Sequence, residues 1–268
     1  MAGILEAIKK GFGLAAKNLL LVLILFLFNL VWNLASAPFA VAPGATVTPQ
    51  LTINALVFSI IFILASIFVQ GSVLGLVRDS IKEGKANLGA FLSYGIKYYL
   101  RLLGLGILII LIIAIVALIA GLIIAVTAPL NSTVITAIAI TAAIAIAVVS
   151  ALFYLIPFTL SPYALVCEEL GVIGALRKSL NVVLKPFSKV FALLLLFVLL
   201  VLIALGIGFV VGFLVGMLNA VVPPAVGKAL MAVATSAING YLGIVMTGSF
   251  MVFYLSIAVD KGAGEKVF

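Results

Sequence analysis

Long apolar runs alternate with short polar segments along the whole chain, and the lengths of the runs predict the fold. A helix needs roughly 20 apolar residues to cross a hydrocarbon core of about 30 Å. Six runs meet this requirement, and they cover residues 18–37, 51–77, 103–127, 133–160, 190–216 and 229–258. The pattern predicts an all-α polytopic membrane protein, with six transmembrane helices in one integral membrane domain over residues 1–268.

The connectors between the runs fall into two kinds. Those at 38–50, 128–132 and 217–228 contain turn-forming residues, and Lys228 is their single charged residue. The other connectors and both termini contain 14 of the 15 Lys and Arg residues. Such an asymmetry places the basic face in the cytoplasm. We therefore expect three hairpins in the cell membrane, with both termini cytoplasmic.

The first apolar run has an alternative interpretation. Three lysines precede it and the small residues Ala35, Ser36 and Ala37 end it, which is also the pattern of a cleaved signal peptide. Pro38 directly after that site disfavours cleavage. Because the run also fits the internal repeat described next, we expect it to be a transmembrane helix.

Amphipathic segments precede the first, third and fifth runs at equal spacing. They cover residues 4–17, 88–101 and 172–185, so their starts lie 84 residues apart twice. The spacing predicts a pseudo-threefold repeat with units 1–84, 85–168 and 169–260, followed by a tail at 261–268. A coincidence of similar hairpin lengths is the alternative. Two sets of residues align in this register: Gly11, Gly95 and Ser179, and Lys17, Arg101 and Lys185.

Each amphipathic segment is predicted to form an interfacial helix on the cytoplasmic side. In the first, Glu6, Lys9 and Lys10 lie on a face opposite Leu5 and Ile8. Such helices lie in the headgroup plane, with their basic side chains directed towards phosphates. We expect them to serve as elbows that lead into the next span. Active membrane bending or sensing is the more specific alternative. The residues predicted to contact anionic lipid are Lys17, Arg101, Arg177, Lys178 and Lys185.

Composition agrees with a bilayer location and excludes several kinds of site. Of the 268 residues, 66% are hydrophobic and only 8% are charged, which is too few charges to cover a soluble core of this length. Because the net charge of +8 flanks the apolar runs, anionic lipids are the expected partners, and nucleic acid is not. There is no histidine, and Cys167 is the only cysteine, so the chain has neither an intrachain disulfide nor a Cys/His metal site.

The residues that carry catalytic chemistry are missing from the predicted spans. No phosphate-binding glycine loop, nucleophile elbow or metal-ligand set occurs, so we expect no cofactor and no enzymatic activity. The spans also lack the ionisable side chains on which proton relays and ion pumps depend. The polar side chains that remain inside the predicted spans are neutral. The amides chosen as a candidate solute path are Asn29, Asn33, Gln70 and Asn239.

These amides have two interpretations, because an amide in hydrocarbon needs a hydrogen-bonding partner and should face the bundle interior. Most such residues hold helices together, while the sharper hypothesis is that they line a path for an uncharged molecule. Two further patterns predict local structure. Gly208, Gly212 and Gly216 form a GxxxGxxxG ladder, which lets two helix backbones approach closely without telling an intramolecular from a dimer contact; we expect packing within the chain. Pro157 and Pro162 should kink or end the fourth span.

One stretch of the chain resembles a known family. Residues 167–196, CEELGVIGALRKSLNVVLKPFSKVFALLLL, follow IPFTLSPYALV at 156–166. The combination of a proline-bearing span, a small acidic turn and a basic amphipathic helix is similar to that of a poorly characterised group of prokaryotic six-span proteins. That group is similar to the membrane domain fused to some glycerophosphodiester phosphodiesterases. The resemblance implies architecture and a link to lipids or membrane complexes, but no phosphodiesterase activity.

Two functions remain open from the sequence. The leading hypothesis is a permease-like or lipid-handling protein for a neutral or amphipathic molecule, because polar neutral residues and helix irregularities occur inside the spans. The alternative is a non-catalytic scaffold that assembles other membrane subunits. A cavity lined by the four amides favours the first, whereas amides paired with one another favour the second.

Overall fold

The computed structural model describes residues 3–39, 49–127, 133–150, 153–154, 156–184, 186–218 and 223–259. Within these ranges the chain is helical and has no strand. In chain order the helices are α1 (Ile4–Lys17), α2 (Leu19–Ser36), α3 (Pro49–Glu83), α4 (Phe91–Thr127), α5 (Thr133–Ser150), α6 (Ile156–Phe158), α7 (Ser161–Cys167), α8 (Val172–Leu184), α9 (Phe187–Leu218) and α10 (Pro224–Val259). The predicted all-α class is thus confirmed, while the tail at 261–268 and Lys185 lie outside the described residues.

Several helices are compatible with a membrane location. Among the described residues, five helices are long and apolar enough to cross a bilayer, namely Leu19–Phe39, Pro49–Glu83, Leu88–Thr127, Phe187–Leu218 and Ala225–Ala258. Two shorter apolar helices, Val134–Ser150 and Ile156–Cys167, occupy the region of the predicted fourth span. The count of six spans and the inside-facing termini stay predictions.

A turn interrupts the C-terminal end of the predicted fourth span. Thr159 and Leu160 form it, between α6, which contains Pro157, and α7, which contains Pro162. Proline at 162 cannot donate a hydrogen bond to the carbonyl four residues earlier. The hydroxyl of Ser161 donates to that Phe158 carbonyl instead, and Thr159 Oγ1 donates to the Ile156 carbonyl at 2.6 Å. The Ser161 hydroxyl therefore satisfies a carbonyl that Pro162 leaves open, whereas the Ile156 carbonyl also accepts from the Thr159 backbone N–H at 3.2 Å.

The first and third amphipathic segments are separate helices, but the middle one is not. Helix α1 ends before Asn18, and α8 ends shortly before Pro186. Leu102 aligns with Asn18 and Pro186 in the repeat register. It lies inside α4, which has no break there. The prediction of a separate interfacial helix at 88–101 is therefore wrong. Leucine favours a helix interior, whereas proline and asparagine are common at helix ends.

The chain forms two compact units, one made of residues 1–99 and 192–268 and the other of residues 100–191. In the first unit, α10 is the central helix and both α1 and α2 pack against it. A Cβ added at Gly240 of α10 would lie 2.8 Å from the backbone nitrogen of Phe26, so glycine is what allows α2 to approach this closely. The C-terminal half of α10 contributes fully buried core residues, among them Met251, Phe253 and Tyr254.

Each of the three aligned small residues lies at a close contact. A side chain at Gly11 would collide with the Ser249 hydroxyl and the Val245 carbonyl of α10. One at Gly95 would collide with the Phe68 ring of α3. In the second unit, the Ser179 hydroxyl of α8 donates to the Pro157 carbonyl. All three positions thus lie at close helix contacts, but their partners do not align in the same register, and the threefold repeat stays a prediction.

The glycine ladder of α9 does not make the predicted close contact in the described chain. Added Cβ atoms at Gly208 and Gly216 would have no neighbour within 4 Å, and one at Gly212 would make only an ordinary contact of 3.5 Å with Met231. Large side chains of α9 such as Phe209 and Phe213 are 76% and 62% exposed. The ladder lets another surface approach, but no described helix of this chain uses it in that way.

Candidate ligand-binding site

Three of the four predicted amides line one cavity in the first unit. Asn29 lies on α2, Gln70 on α3 and Asn239 on α10, and the cavity between these helices has a volume of about 310 Å³. Ser66 and Thr247 add hydroxyl groups to its wall, and none of the described residues that line it is charged. Spacing alone could not show that amides more than 200 residues apart in the chain meet at one place.

The polar groups around this cavity are only partly satisfied by the protein. Asn29 Nδ2 donates to the Leu25 carbonyl of its own helix at 2.8 Å. Within the described residues, the side chains of Gln70 and Asn239 make no hydrogen bond. Ser66 Oγ is buried and also has no hydrogen-bonding partner there. An unmade hydrogen bond is unfavourable for the buried Ser66 hydroxyl, while the exposed Gln70 and Asn239 side chains are open to a polar group that enters the cavity.

Aromatic side chains form one wall of the cavity. Phe28 of α2 and Phe62 of α3 line it, and their ring centroids lie 5.8 Å apart. Trp32 stacks on Phe58 with a centroid distance of 4.1 Å and lies 4.5 Å from the Phe62 ring. Such clusters are rigid and bury a large apolar area. They hold α2 and α3 together beside the amides.

The fourth predicted amide has a different role. Asn33, one helical turn beyond Asn29, donates from Nδ2 to Ser236 Oγ at 2.9 Å. Ser236 is fully buried, and Asn33 is not among the residues that line the cavity. This amide joins α2 to α10, as the packing interpretation of intramembrane amides expects.

A second, more apolar space adjoins the amide-lined cavity. A gap of about 500 Å³ lies between α9 and α10, and Asn239 and Gly243 line both spaces. Its wall is otherwise mostly apolar, with Thr235 as a further polar residue. Leu205 and Phe209 on its α9 side are 64% and 76% exposed, so this gap is accessible from the apolar surface of the unit.

A buried polar network lies at the charged end of α3, and the sequence patterns did not indicate it. Arg78 donates from Nη1 to Tyr98 Oη at 2.9 Å and pairs with Asp79 at 3.2 Å. Tyr94 Oη donates to Asp79 Oδ2 at 2.5 Å. A Cβ at Gly75 would collide with the Tyr94 ring, so this glycine makes room for the tyrosine. We call Arg78, Asp79, Tyr94 and Tyr98 the polar lock.

The polar lock shows why the helix containing the second span is longer than predicted. The predicted span stopped at residue 77, before the charged residues. In the structure α3 continues to Glu83, and Asp79 is only 7% exposed. The missed signal was an adjacent arginine and aspartate followed by tyrosines one turn apart. Tyr94 also occupies a position where the other two amphipathic segments have a basic residue.

The basic residues predicted to contact lipid differ in their surroundings. In the second unit, Lys178 pairs with Glu168 at 3.0 Å, and Arg101 Nη1 donates to the Glu169 carbonyl at 3.1 Å. Arg177 is exposed on α8. In the first unit, Lys17 lines a groove with Lys9 and Lys10. In the described part of the chain, no three His, Cys, Asp or Glu side chains are grouped so that they could hold a metal ion.

Comparison with known protein families gives a match over nearly the whole chain. Residues 2–257 match the model of a domain of unknown function, DUF7847. The chain belongs to this family. Searches of curated proteins and of solved structures found no match. Because DUF7847 has no assigned function, the predicted similarity to the membrane domain of some phosphodiesterases stays a prediction.

The matched region of DUF7847 includes every feature described above. The amide-lined cavity extends in sequence from Leu25 to Thr247, and the polar lock lies between its first and last residues. The groove beside α1 also falls inside the matched range, with Glu6 as its first residue and Val252 as its last. The features therefore belong to the DUF7847 domain itself.

Proposed function

We propose that this protein is an integral membrane protein that binds and moves a neutral or amphipathic molecule. The observation that carries the proposal is the cavity where amides from three helices meet, with Gln70 and Asn239 making no hydrogen bond in the described chain. Polar groups inside an apolar bundle are usually paired. Here they line a space of about 310 Å³, within the size range typical of small-molecule sites.

The chemistry of the lining indicates which molecules fit. Amide side chains both donate and accept hydrogen bonds, and hydroxyls do the same. Because the described lining residues are all uncharged, the cavity suits a neutral hydrogen-bonding group such as a hydroxyl, an ester or an amide. A fully ionised group would be unfavourable there, because it would be desolvated without an opposite charge.

The apolar gap next to the cavity favours an amphipathic ligand. Asn239 and Gly243 belong to both spaces, so a molecule with a polar end between the amides could place its apolar part between α9 and α10. The exposed Leu205 and Phe209 give this gap an entrance from the lipid side. In this proposal the basic face is cytoplasmic, anionic lipids surround it and no covalent chemistry takes place.

Identification of co-purifying molecules tests the proposal. The wild-type chain is purified in a mild detergent, and bound small molecules are measured by native mass spectrometry and lipid extraction. We expect a bound neutral or amphipathic molecule in wild type and its loss in Gln70→Leu and Asn239→Leu. Asn54→Leu is the matched control, because Asn54 is an amide on the same helix that accepts a hydrogen bond from Gln50 outside the cavity.

Two outcomes would contradict a ligand site. Wild type that carries no small molecule under any mild extraction would remove the basis of the proposal. Equal retention of the molecule by wild type and by both cavity variants would place the binding elsewhere.

A scaffold that assembles membrane subunits is the second candidate. The observation that favours it is the glycine ladder of α9, where Gly208 and Gly216 have no neighbour within 4 Å in the described chain. Small residues at such spacing let another transmembrane helix approach closely. A stoichiometric protein that co-purifies with wild type but not with Gly216→Leu would support this function. Loss of a bound small molecule with no change in protein partners would support the first.

A further inference from the structure

The amphipathic helix α1 has three faces, where its sequence suggested two. Its small residues Ala7, Gly11 and Ala15 are buried and pack against α10. Its large apolar residues form a second face, on which Leu5 is 75% exposed. The third face carries Glu6, Lys9, Lys10, Gly13 and Lys17. Contact with α10 therefore fixes how the lysine face is directed.

The lysine face is one wall of a groove with a volume of about 540 Å³. Ser80 and Ile81 at the end of α3 and Val252 near the end of α10 form the opposite walls. Asn18 Nδ2 donates to Ser80 Oγ at 3.0 Å, which ties the junction of α1 and α2 to α3. The groove is thus built by helices held in place by packing and hydrogen bonding. We call it the α1 groove.

The charges around the α1 groove favour an anion. Three lysines and one glutamate are among the described residues that line it, and their net charge is +2. Lys10 pairs with Glu6 at 3.2 Å. In the described part of the chain, Lys9 and Lys17 have no ion-pair partner. Two ammonium groups beside a pocket of this size are suited to a phosphate group.

We infer that the α1 groove binds the phosphate of an anionic phospholipid from the surrounding bilayer. Asn18 separates α1 from α2 by one residue, and α2 is long and apolar enough to cross a membrane. The groove therefore lies where a span begins, at the depth of lipid headgroups. Leu14, Ile81 and Val252 line it with apolar surface that suits the glycerol and first acyl carbons of a lipid.

This inference rests on the membrane location but not on the amide-lined cavity. The two sites have different linings, one neutral and one basic, and share no residue. It also narrows the broader prediction of lipid contacts, because Lys178 and Arg101 are already engaged with Glu168 and with the Glu169 carbonyl.

Lipid retention by lysine variants tests the inference. The full chain is placed in nanodiscs containing phosphatidylcholine with a minor fraction of phosphatidylglycerol. The number of phosphatidylglycerol molecules that stay bound after transfer to detergent at 0.15 M salt is then measured by native mass spectrometry. Each lysine near an anionic surface contributes enough to change affinity by about fivefold. We therefore expect at least about tenfold less retained lipid for the double variant Lys9→Gln with Lys17→Gln.

A matched pair of variants separates this site from general surface charge. Lys82→Gln with Lys85→Gln removes the same charge from exposed positions outside the groove and should retain lipid like wild type. Lys9→Arg with Lys17→Arg keeps the charge and should also retain it, which guards against loss through misfolding. Equal loss in both Gln variants would overturn the inference. Displacement of the lipid by millimolar inorganic phosphate would assign the groove to a soluble anion and equally overturn it.

Discussion

Helix α3 carries two polar regions, and their side chains differ in whether they have hydrogen-bonding partners. Near its C-terminal end, Arg78 and Asp79 belong to the polar lock, where each charged group has a partner. About two turns earlier, Ser66 and Gln70 face the amide-lined cavity and make no hydrogen bond in the described chain. The contrast lies in pairing, because both regions are polar and both belong to the same unit.

The difference separates residues that hold the fold from residues available to a ligand. A satisfied buried network orders the helices that contribute to it, and its groups are fully occupied. Unsatisfied amides beside a cavity contribute little to packing, and they gain hydrogen bonds only when a polar molecule enters. Substitutions in the two regions should therefore affect stability and ligand binding in opposite proportions.

The largest effect is expected from Asp79→Ala in the polar lock. This variant removes the carboxylate that pairs with the Arg78 guanidinium, whose side chain is 12% exposed. Removal of one partner of a buried pair costs about 3 to 5 kcal/mol in soluble proteins. We expect a loss near the lower end of that range, since Tyr98 still accepts from Arg78. Unfolding by SDS titration, followed by circular dichroism, measures it.

Glu83→Ala is the control for this variant, because Glu83 is an exposed acid on the same helix. Its free energy of unfolding should stay within about 0.5 kcal/mol of wild type. Similar losses for the two variants would mean that total charge at this end of α3 matters and that the polar lock does not.

The sequence predicted the long apolar helices, because helix length and apolar composition are both visible in the residue pattern. It failed where local backbone chemistry or tertiary pairing decides the outcome. The turn at Thr159 and Leu160 depends on hydroxyls such as that of Ser161, which accommodate an irregular backbone. The continuous α4 depends on Leu102, at a position where the other amphipathic segments have Asn18 and Pro186. The alignment of Leu102 with Asn18 and Pro186 in the repeat register could have predicted this difference from the sequence.

The candidate site was predicted in part. The four amides were recognisable as unusual polar residues in apolar runs, but nothing local distinguishes Asn29 from Asn33 one turn later. Only the partner helices show that Asn33 meets Ser236 while Asn29 lies beside Gln70 and Asn239. The polar lock was missed because hydropathy counts Arg78 and Asp79 as exposed charges. Pairing of that kind is a tertiary property, which a one-dimensional pattern does not contain.

An intermediate effect is expected from the Asn33–Ser236 hydrogen bond. A double-mutant cycle with Asn33→Ala and Ser236→Ala should give a coupling energy above about 0.6 kcal/mol and below about 1.7 kcal/mol, which are the average and the maximum found for hydrogen bonds between membrane helices. The same cycle with Asn29→Ala in place of Asn33→Ala should give a coupling within about 0.5 kcal/mol of zero. Unfolding in SDS again provides the free energies. A coupling of equal size in both cycles would remove the distinction between packing and cavity amides.

The smallest expected change in stability comes from Asn239→Leu. The informative result is whether this variant lowers the free energy of unfolding. Asn239 makes no hydrogen bond in the described chain, so its replacement breaks none, and leucine adds apolar contact beside Gly243. For protein stripped of bound lipid, we expect a free energy of unfolding equal to that of wild type within about 0.5 kcal/mol, or slightly higher. Asn33→Leu should lower it, because the buried Ser236 hydroxyl then loses its donor. If Asn239→Leu destabilises the stripped protein as much as Asn33→Leu does, both amides hold helices together and the cavity has no separate role.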